Sequence, residues 1–123
     1  MSPYGMETIL DLHNCDVSRF NRAHITNFMI ELCDRIEMQR EDLHFWDYEG
    51  VPESERPTEA HLLGTSAIQF ISTSNITIHT LDLLERVYLN IFSCKKYDPK
   101  IVVELAVGWF GGECVNEITV TRI

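Results

Sequence analysis

Residues 64–94 decide the fold of this chain, and their sequence is GTSAIQFISTSNITIHTLDLLERVYLNIFSC. Three short runs within them, 66–72, 76–80 and 86–94, are rich in apolar and β-branched residues, and turn-forming residues separate the first two. Runs of this length and composition predict three consecutive β-strands. In the first run, apolar residues occupy both alternating positions, which predicts a strand covered on both of its faces.

The flanking sequence supplies the other elements of the predicted fold. Apolar residues recur at helical spacing between Ile25 and Ile36, and Asp98-Pro99 is a typical helix start. The predicted elements are a strand at 8–12, a helix from about 19 to about 38 capped by Asp16 or Ser18, a strand at 43–48, a helix from Asp98 to Gly111-Gly112, and a strand at 117–123. This order predicts one α+β domain over residues 1–123, a two-layer sandwich in which two helices cover one face of a mostly antiparallel sheet.

Size and charge narrow the classes of function. With 123 residues and a net charge of −9, the chain offers no basic stripe to phosphates, which disfavours nucleic-acid binding and suits a small cationic substrate. No apolar run is long enough to span a membrane, and the N-terminus has no secretory signal, so we expect a cytoplasmic protein without membrane contact. A chain this small has a poor surface-to-volume ratio, so we expect a homodimer, in which the subunits could share a site.

The four cysteines and five histidines show no spacing typical of a disulfide framework or a metal site. We therefore expect reduced cysteines, most of them small core residues, and no bound metal. Trp46 and Tyr48 are interpreted as members of an ordinary strand that covers the core. Cys94 is the exception among the cysteines, because it ends the third predicted strand on the same face as Asn90 and Phe92.

Cys94 belongs to a group of three reactive side chains with Ser74 and His79. Ser74 lies in the predicted turn Thr73-Ser74-Asn75, and His79 follows on the next strand. A serine hydroxyl, an imidazole base and a thiol are the parts that a chain needs to cut itself and make its own catalytic group. Ser74 and His79 are an odd number of residues apart, so they can meet only if the backbone bends or bulges between them.

The spacing of these residues resembles that of the S-adenosylmethionine decarboxylase proenzymes. That family carries a glycine and a serine two residues later, then Glu-Ser-His, Ile-His-Thr-Trp-Pro-Glu and Phe-Thr-Cys. The matching segments, with no gap between them, are Gly64-Thr65-Ser66, Thr73-Ser74-Asn75, Ile78-His79-Thr80-Leu81-Asp82-Leu83 and Phe92-Ser93-Cys94. The N-terminal Leu10-Asp11-Leu12-His13-Asn14-Cys15 is similar to the family's opening strand. The chain is thus identified as a divergent member of this pyruvoyl-dependent family.

The resemblance implies a role for each site residue. The Ser74 hydroxyl attacks the carbonyl of Thr73. Ser66 positions the intermediate and His79 removes the α-proton, which cuts the chain between residues 73 and 74. Residue 74 becomes a pyruvoyl cofactor, whose ketone condenses with the substrate amine and accepts electrons as carbon dioxide leaves. Cys94 then donates a proton as general acid, which requires a thiol that is protonated at neutral pH, as a partly apolar setting predicts.

The chain also departs from the family pattern. Thr73 and Asn75 stand in place of a glutamate and a histidine. Leu81 and Leu83 stand in place of a tryptophan and a glutamate near the substrate. The default prediction is decarboxylation of S-adenosylmethionine for polyamine synthesis. Two alternatives stay open: a decarboxylase of arginine or ornithine on the same scaffold, and an uncut homologue that binds a ligand or a partner without catalysis.

Overall fold

The computed structural model describes residues 1–123 and contains six strands and two α-helices. The strands are β1 (Gly5–His13), β2 (Arg40–Trp46), β3 (Gly64–Ile71), β4 (Ser74–Leu81), β5 (Arg86–Ser93) and β6 (Glu113–Arg122), and the helices are α1 (Arg22–Arg35) and α2 (Pro99–Phe110). Two short 3-10 turns lie at Val17–Arg19 and Glu53–Glu55. The strands form one antiparallel sheet in the order β2-β3-β4-β5-β1-β6. With both helices on one face, this is the predicted α+β two-layer sandwich, and that prediction is confirmed.

The β3–β4–β5 meander lies at the centre of the sheet and contains the candidate site. β4 pairs with β3 along its whole length and with β5 from Asn75 to Leu81, in both cases without a register shift. Along β4, Ile76 and Ile78 are buried against the helices, while His79 is exposed on the other side. A regular ladder of this kind keeps residues an odd number apart on opposite faces of the sheet.

The face of the sheet that the helices do not cover is called the open face here. It includes Ile68 and Phe70 of β3, whose side chains are 40% and 43% exposed, and Ile118 and Val120 of β6. The prediction that β3 is covered on both faces is therefore wrong for a single chain. The reason is that both helices pack on the same side of the sheet, where they form one core with the inward residues of the strands.

Both α-helices begin at side-chain caps. Asn21 caps α1, because its side chain accepts a hydrogen bond from a backbone N–H of the first turn. Asp16 instead accepts a hydrogen bond from the N–H of Ser18 in the preceding 3-10 turn, so α1 begins later than predicted. Asp98 caps α2 as predicted. Neither helix has the length and apolar character that crossing a membrane would require.

Candidate active site

The turn between β3 and β4 holds the peptide bond that the resemblance marks for cutting. It is a two-residue hairpin turn, Ser72-Thr73, closed by the pairing of Ile71 with Ser74. Ser74 is thus the first residue of β4 rather than the middle of the predicted turn at 73–75. Thr73 has a φ of 59°, in the left-handed region that favours glycine or asparagine and costs a β-branched residue about 1–3 kcal/mol. The conformational strain lies beside the bond from Thr73 to Ser74.

Ser74 and Cys94 lie together at this end of the sheet. Asn75 pairs with Phe92, and this register places Cys94 just beyond the end of β5 and beside the turn. The Ser74 hydroxyl accepts a hydrogen bond from the backbone N–H of Cys94 at 3.1 Å, and Thr73 Oγ1 lies 3.6 Å from Cys94 Sγ. The Ser74 side chain is buried, whereas Cys94 is exposed. Both residues of the predicted cut therefore contact the predicted acid.

The pKa of the Cys94 thiol lies below that of an ordinary cysteine. Hydrogen bonding to Thr73 is the largest cause, and hydrogen bonding to Ser74 is the next. The prediction of a partly apolar setting for this thiol is therefore wrong for the uncut chain, because the side chain is exposed and the neighbouring hydroxyl groups lower its pKa. Burial raises the pKa values of Cys15 and Cys33 to about 11, which makes these two thiols unreactive.

Ser66 and His79 form a second pair, on the open face. They lie directly opposite each other in the β3–β4 ladder, and Ser66 Oγ is 2.8 Å from His79 Nδ1. A hydrogen bond at Nδ1 fixes the imidazole ring and leaves Nε2 for proton transfer. The structure therefore brings two of the predicted site residues into direct contact.

A cavity of about 400 Å³ adjoins the Ser66–His79 pair. Its lining includes the aromatic side chains of Trp46, Tyr48, His61 and Tyr88. Trp46 pairs with Ser66 across β2 and β3, shares the open face with it and is 61% exposed. The prediction that Trp46 and Tyr48 cover the core is therefore wrong, because these rings line a cavity on the other side of the sheet.

The two pairs lie apart within one chain. β4 runs from Ser74 to His79 without a bulge, so the two side chains are on opposite faces. The strand between them spans roughly 16 Å. A single chain does not form the predicted common pocket of hydroxyl, imidazole and thiol, and that prediction is wrong. The structure instead brings Ser74 to Cys94 and Ser66 to His79.

The open-face carboxylates of β1 are already paired. Glu7 accepts hydrogen bonds from Asn90 at 2.9 Å and from Arg122 at 2.7 Å, and Asp11 accepts one from Asn116 at 3.0 Å. No three His, Cys, Asp or Glu side chains are grouped so that they could hold a metal ion. A cationic substrate at this face would have to displace the existing ion pair or hydrogen bonds to reach a carboxylate.

Sequence reasoning missed Asp82, in the turn between β4 and β5. Its Oδ1 is buried without a hydrogen-bond partner, and burial raises the pKa of the carboxyl. The adjacent cavity also contains Glu53 and Arg56. Buried oxygens without a hydrogen-bond partner are uncommon in folded proteins. The only sequence signal for this residue is that an aspartate, between Leu81 and Leu83, stands where the family motif has proline.

The fold defines the class of protein. The chain superposes on the crystal structure of the adenosylmethionine decarboxylase from Aquifex aeolicus VF5 with a TM-score of 0.74, over 99% of this chain and 92% of that one. The sequences are 13% identical, so this likeness shows the fold alone. No curated protein sequence gives a significant match to the chain.

The sequence itself gives the family. The family model for S-adenosylmethionine decarboxylase matches residues 6–123, which is nearly the whole chain. The chain therefore belongs to the S-adenosylmethionine decarboxylase family, and the resemblance read from Ser66, Ser74, His79 and Cys94 is confirmed at the level of the family.

Proposed function

We propose that this protein is a pyruvoyl-dependent S-adenosylmethionine decarboxylase of polyamine synthesis, which cuts itself between Thr73 and Ser74 and acts as a homodimer. The observation that carries the proposal is the strained backbone at Thr73, with the Ser74 hydroxyl and the Cys94 thiol beside the same peptide bond. Membership of the family supports the expectation of a cut chain, and these contacts supply a nucleophile and a thiol at the right bond.

The Ser74 hydroxyl is the nucleophile of the proposed cut. Ser74 Oγ adds to the carbonyl carbon of Thr73 while the bond from that carbon to the Ser74 nitrogen breaks, which turns the amide into an ester and frees the amine. A base then removes the α-proton of residue 74, and the bond between its Cβ and the ester oxygen breaks. Thr73 keeps that oxygen as a carboxylate. Water replaces the nitrogen of residue 74, which releases ammonia and leaves a ketone.

The residues around position 74 fit a pyruvoyl group. Ser74 is buried, and the pairing of the next residue, Asn75, with Phe92 would hold the new group in the same place. The group would supply an electron sink for decarboxylation once formed. Cys94 Sγ faces a cavity of about 430 Å³ that Tyr4 and Lys96 also line, and it is placed to donate a proton to the substrate carbon that loses carbon dioxide.

A second copy of the chain would supply the base for the cut. In a two-fold dimer with its open faces packed together, the Ser66–His79 pair of each subunit can lie against Cys94 and the adjoining backbone of residue 74 of the other, which makes two complete sites. Cys94 is two residues beyond Phe92 and continues the open-face side of β5, so a partner on that face can reach it. The expected homodimer is then a requirement of the chemistry.

The open face has the composition of a contact surface. Apolar side chains are exposed at both sides of it, Ile68 and Phe70 on β3 and Ile118 and Val120 on β6. A second sheet packed on this face would bury them. It would also give β3 cover on both faces, which is what the apolar residues at both alternating positions of 66–72 predict.

The cavity beside Ser66 and His79 favours S-adenosylmethionine as the substrate. The rings of Trp46, Tyr48 and Tyr88 can stack on a flat heterocycle. Arginine or ornithine would need a free carboxylate to bind its cationic side chain, and the open-face carboxylates of β1 are paired. The rate of carbon dioxide release, measured separately with S-adenosylmethionine, arginine and ornithine, identifies the preferred substrate. Release from arginine or ornithine but not from S-adenosylmethionine would contradict this assignment.

Intact-mass measurement tests the cut. The wild-type chain should give two fragments, the smaller of which begins at residue 74 and is blocked to N-terminal sequencing. Ser74→Ala should remain one chain of 14.3 kDa, because it has no hydroxyl at this position. A single full-length species for both proteins would contradict the proposal and indicate the uncut homologue that binds without catalysis.

Co-expression of two variants tests whether the subunits share the site. Ser74→Ala and His79→Ala should each stay uncut alone. In a mixed dimer the His79→Ala chain keeps Ser74 and receives an imidazole from its partner, so this chain alone should be cut. His44→Ala is the matched control, because it removes another exposed histidine of the open face, and it should be cut normally. Failure to cut in the mixed dimer would contradict a shared site.

A further inference from the structure

Thr73 touches the thiol of Cys94, at a position where the family motif has a glutamate. Thr73 Oγ1 lies 3.6 Å from Cys94 Sγ, and the same hydroxyl donates to the carbonyl of Ser72 at 2.8 Å. On the other side of the bond to be cut, Ser74 Oγ accepts from the N–H of Cys94 at 3.1 Å. The two residues joined by that bond therefore hold Cys94 at two points, one at its sulfur and one at its backbone.

We propose that Thr73 is a positioning residue for Cys94, whose thiol it holds beside the bond to be cut, and that the cut removes the Ser74 hydroxyl from this thiol and places the new carboxylate of Thr73 beside it. The first half concerns the uncut chain and depends only on the contacts described. The second half rests on the proposed function, because it needs the cut between Thr73 and Ser74 to occur.

The hydroxyl protons around the sulfur explain how the contact works. Thr73 has one such proton. When this proton bonds to the carbonyl of Ser72, Thr73 Oγ1 can accept the S–H of Cys94, and when it turns toward the sulfur it stabilises the thiolate. Ser74 Oγ is already an acceptor from the backbone, so its own proton is free to turn toward the sulfur as well. This arrangement agrees with the lowered pKa of Cys94.

Cutting the chain would reverse this environment. The other titratable groups that face the sulfur lie around the adjoining cavity, namely Tyr4, Lys96 and Tyr97, and the cut leaves them unchanged. The cut removes the hydroxyl of Ser74 and gives Thr73 a carboxylate. A negative charge beside the sulfur disfavours the thiolate, so the pKa of the thiol should rise. A general acid requires a protonated thiol, which a higher pKa favours.

Alkylation of Cys94 by iodoacetamide tests the contact without requiring the chain to cut itself. The comparison is between Ser74→Ala and the double variant Ser74→Ala with Thr73→Val, and peptide mass mapping gives the rate at Cys94 across a range of pH. Loss of the Thr73 hydroxyl should shift this rate profile to higher pH and slow alkylation at neutral pH by about threefold or more. Thr73→Ser restores a hydroxyl and should restore the profile.

Cys114 on β6 is the internal control, because it lies away from the turn and the two remaining cysteines are buried. Identical Cys94 profiles with and without the Thr73 hydroxyl would overturn the proposal. An equal shift at Cys114 would also overturn it, because it would indicate a general loosening of the fold. If Ser74→Ala does not fold, the same comparison is made in His79→Ala. The mass of the wild-type chain reports the cut separately, so failure of the proposed function is distinguishable from failure of this inference.

Discussion

At the scale of single residues, Thr73 carries the conformational cost that matters most for the proposed cut. It is the only β-branched residue among the five non-glycine residues with positive φ. The left-handed backbone costs such a residue about 1–3 kcal/mol. Cutting the bond to Ser74 frees the chain end and removes the constraint on this backbone, so the strain favours the cut product over the uncut chain.

Thr73→Gly should stabilise the uncut chain. In the Ser74→Ala background, glycine adopts a φ of 59° without steric cost. We expect the free energy of unfolding to rise by about 1 kcal/mol, measured by urea denaturation, even though glycine is more flexible in the unfolded chain. Thr77→Gly, in the regular part of β4, is the control and should lower stability. A loss of stability in Thr73→Gly would show that the turn is not strained.

At the scale of elements, the sequence predicts the β3–β4–β5 meander but not the position of its first turn. Alternation over 76–80 is enough to assign the two faces of β4. Thr73, Ser74 and Asn75 are all common in turns, so residue type alone cannot place the turn at Ser72-Thr73. Pairing across the hairpin decides it, because Ile71 and Ser74 are both buried on the helix side. The start of α1 differs from the prediction for a similar reason, since Asp16, Ser18 and Asn21 can all act as caps and the structure uses Asn21.

The charge of Asp82, in the turn between β4 and β5, should lower the stability of the folded chain. Burial raises the pKa of this carboxyl in the folded chain, so its ionisation at neutral pH opposes folding. Asp82→Asn should therefore raise the urea midpoint at neutral pH. The gain should disappear below the ordinary pKa of 3.8, where the carboxyl is protonated in both the folded and the unfolded chain.

Asp42→Asn is the control for this charge effect, because its side chain is 85% exposed and loses no buried charge. It should leave the midpoint nearly unchanged at both pH values. Equal gains for Asp82→Asn at neutral and at acid pH would contradict the explanation, because they would show that the shape of the side chain rather than its charge changes stability.

At the scale of the whole molecule, the sequence predicts candidate site residues but not how they are grouped. Ser74, His79 and Cys94 stand out as reactive side chains, the family resemblance adds Ser66, and the structure pairs the four two by two. Alternation along a strand predicts that Ser74 and His79 lie on opposite faces of the sheet. The structure keeps them there, because β4 has no bulge between the two residues. A single sequence cannot say which copy of a chain supplies a residue. Besides the small size of the chain, the sequence signal of a partner is the run 66–72, which is apolar on a face that its own helices leave open.

Phe70→Glu should separate the subunits and stop the cut. The side chain lies on the open face, so a charge there would be buried unpaired in the proposed dimer and would cost little in a monomer. Analytical ultracentrifugation should show a monomer, and intact mass should show an uncut chain. Ile30→Glu, which places the same charge at a similarly exposed apolar position on α1, should remain dimeric and be cut. A Phe70→Glu monomer that still cuts itself would mean that His79 acts within its own chain, and a Phe70→Glu dimer would place the interface on another surface.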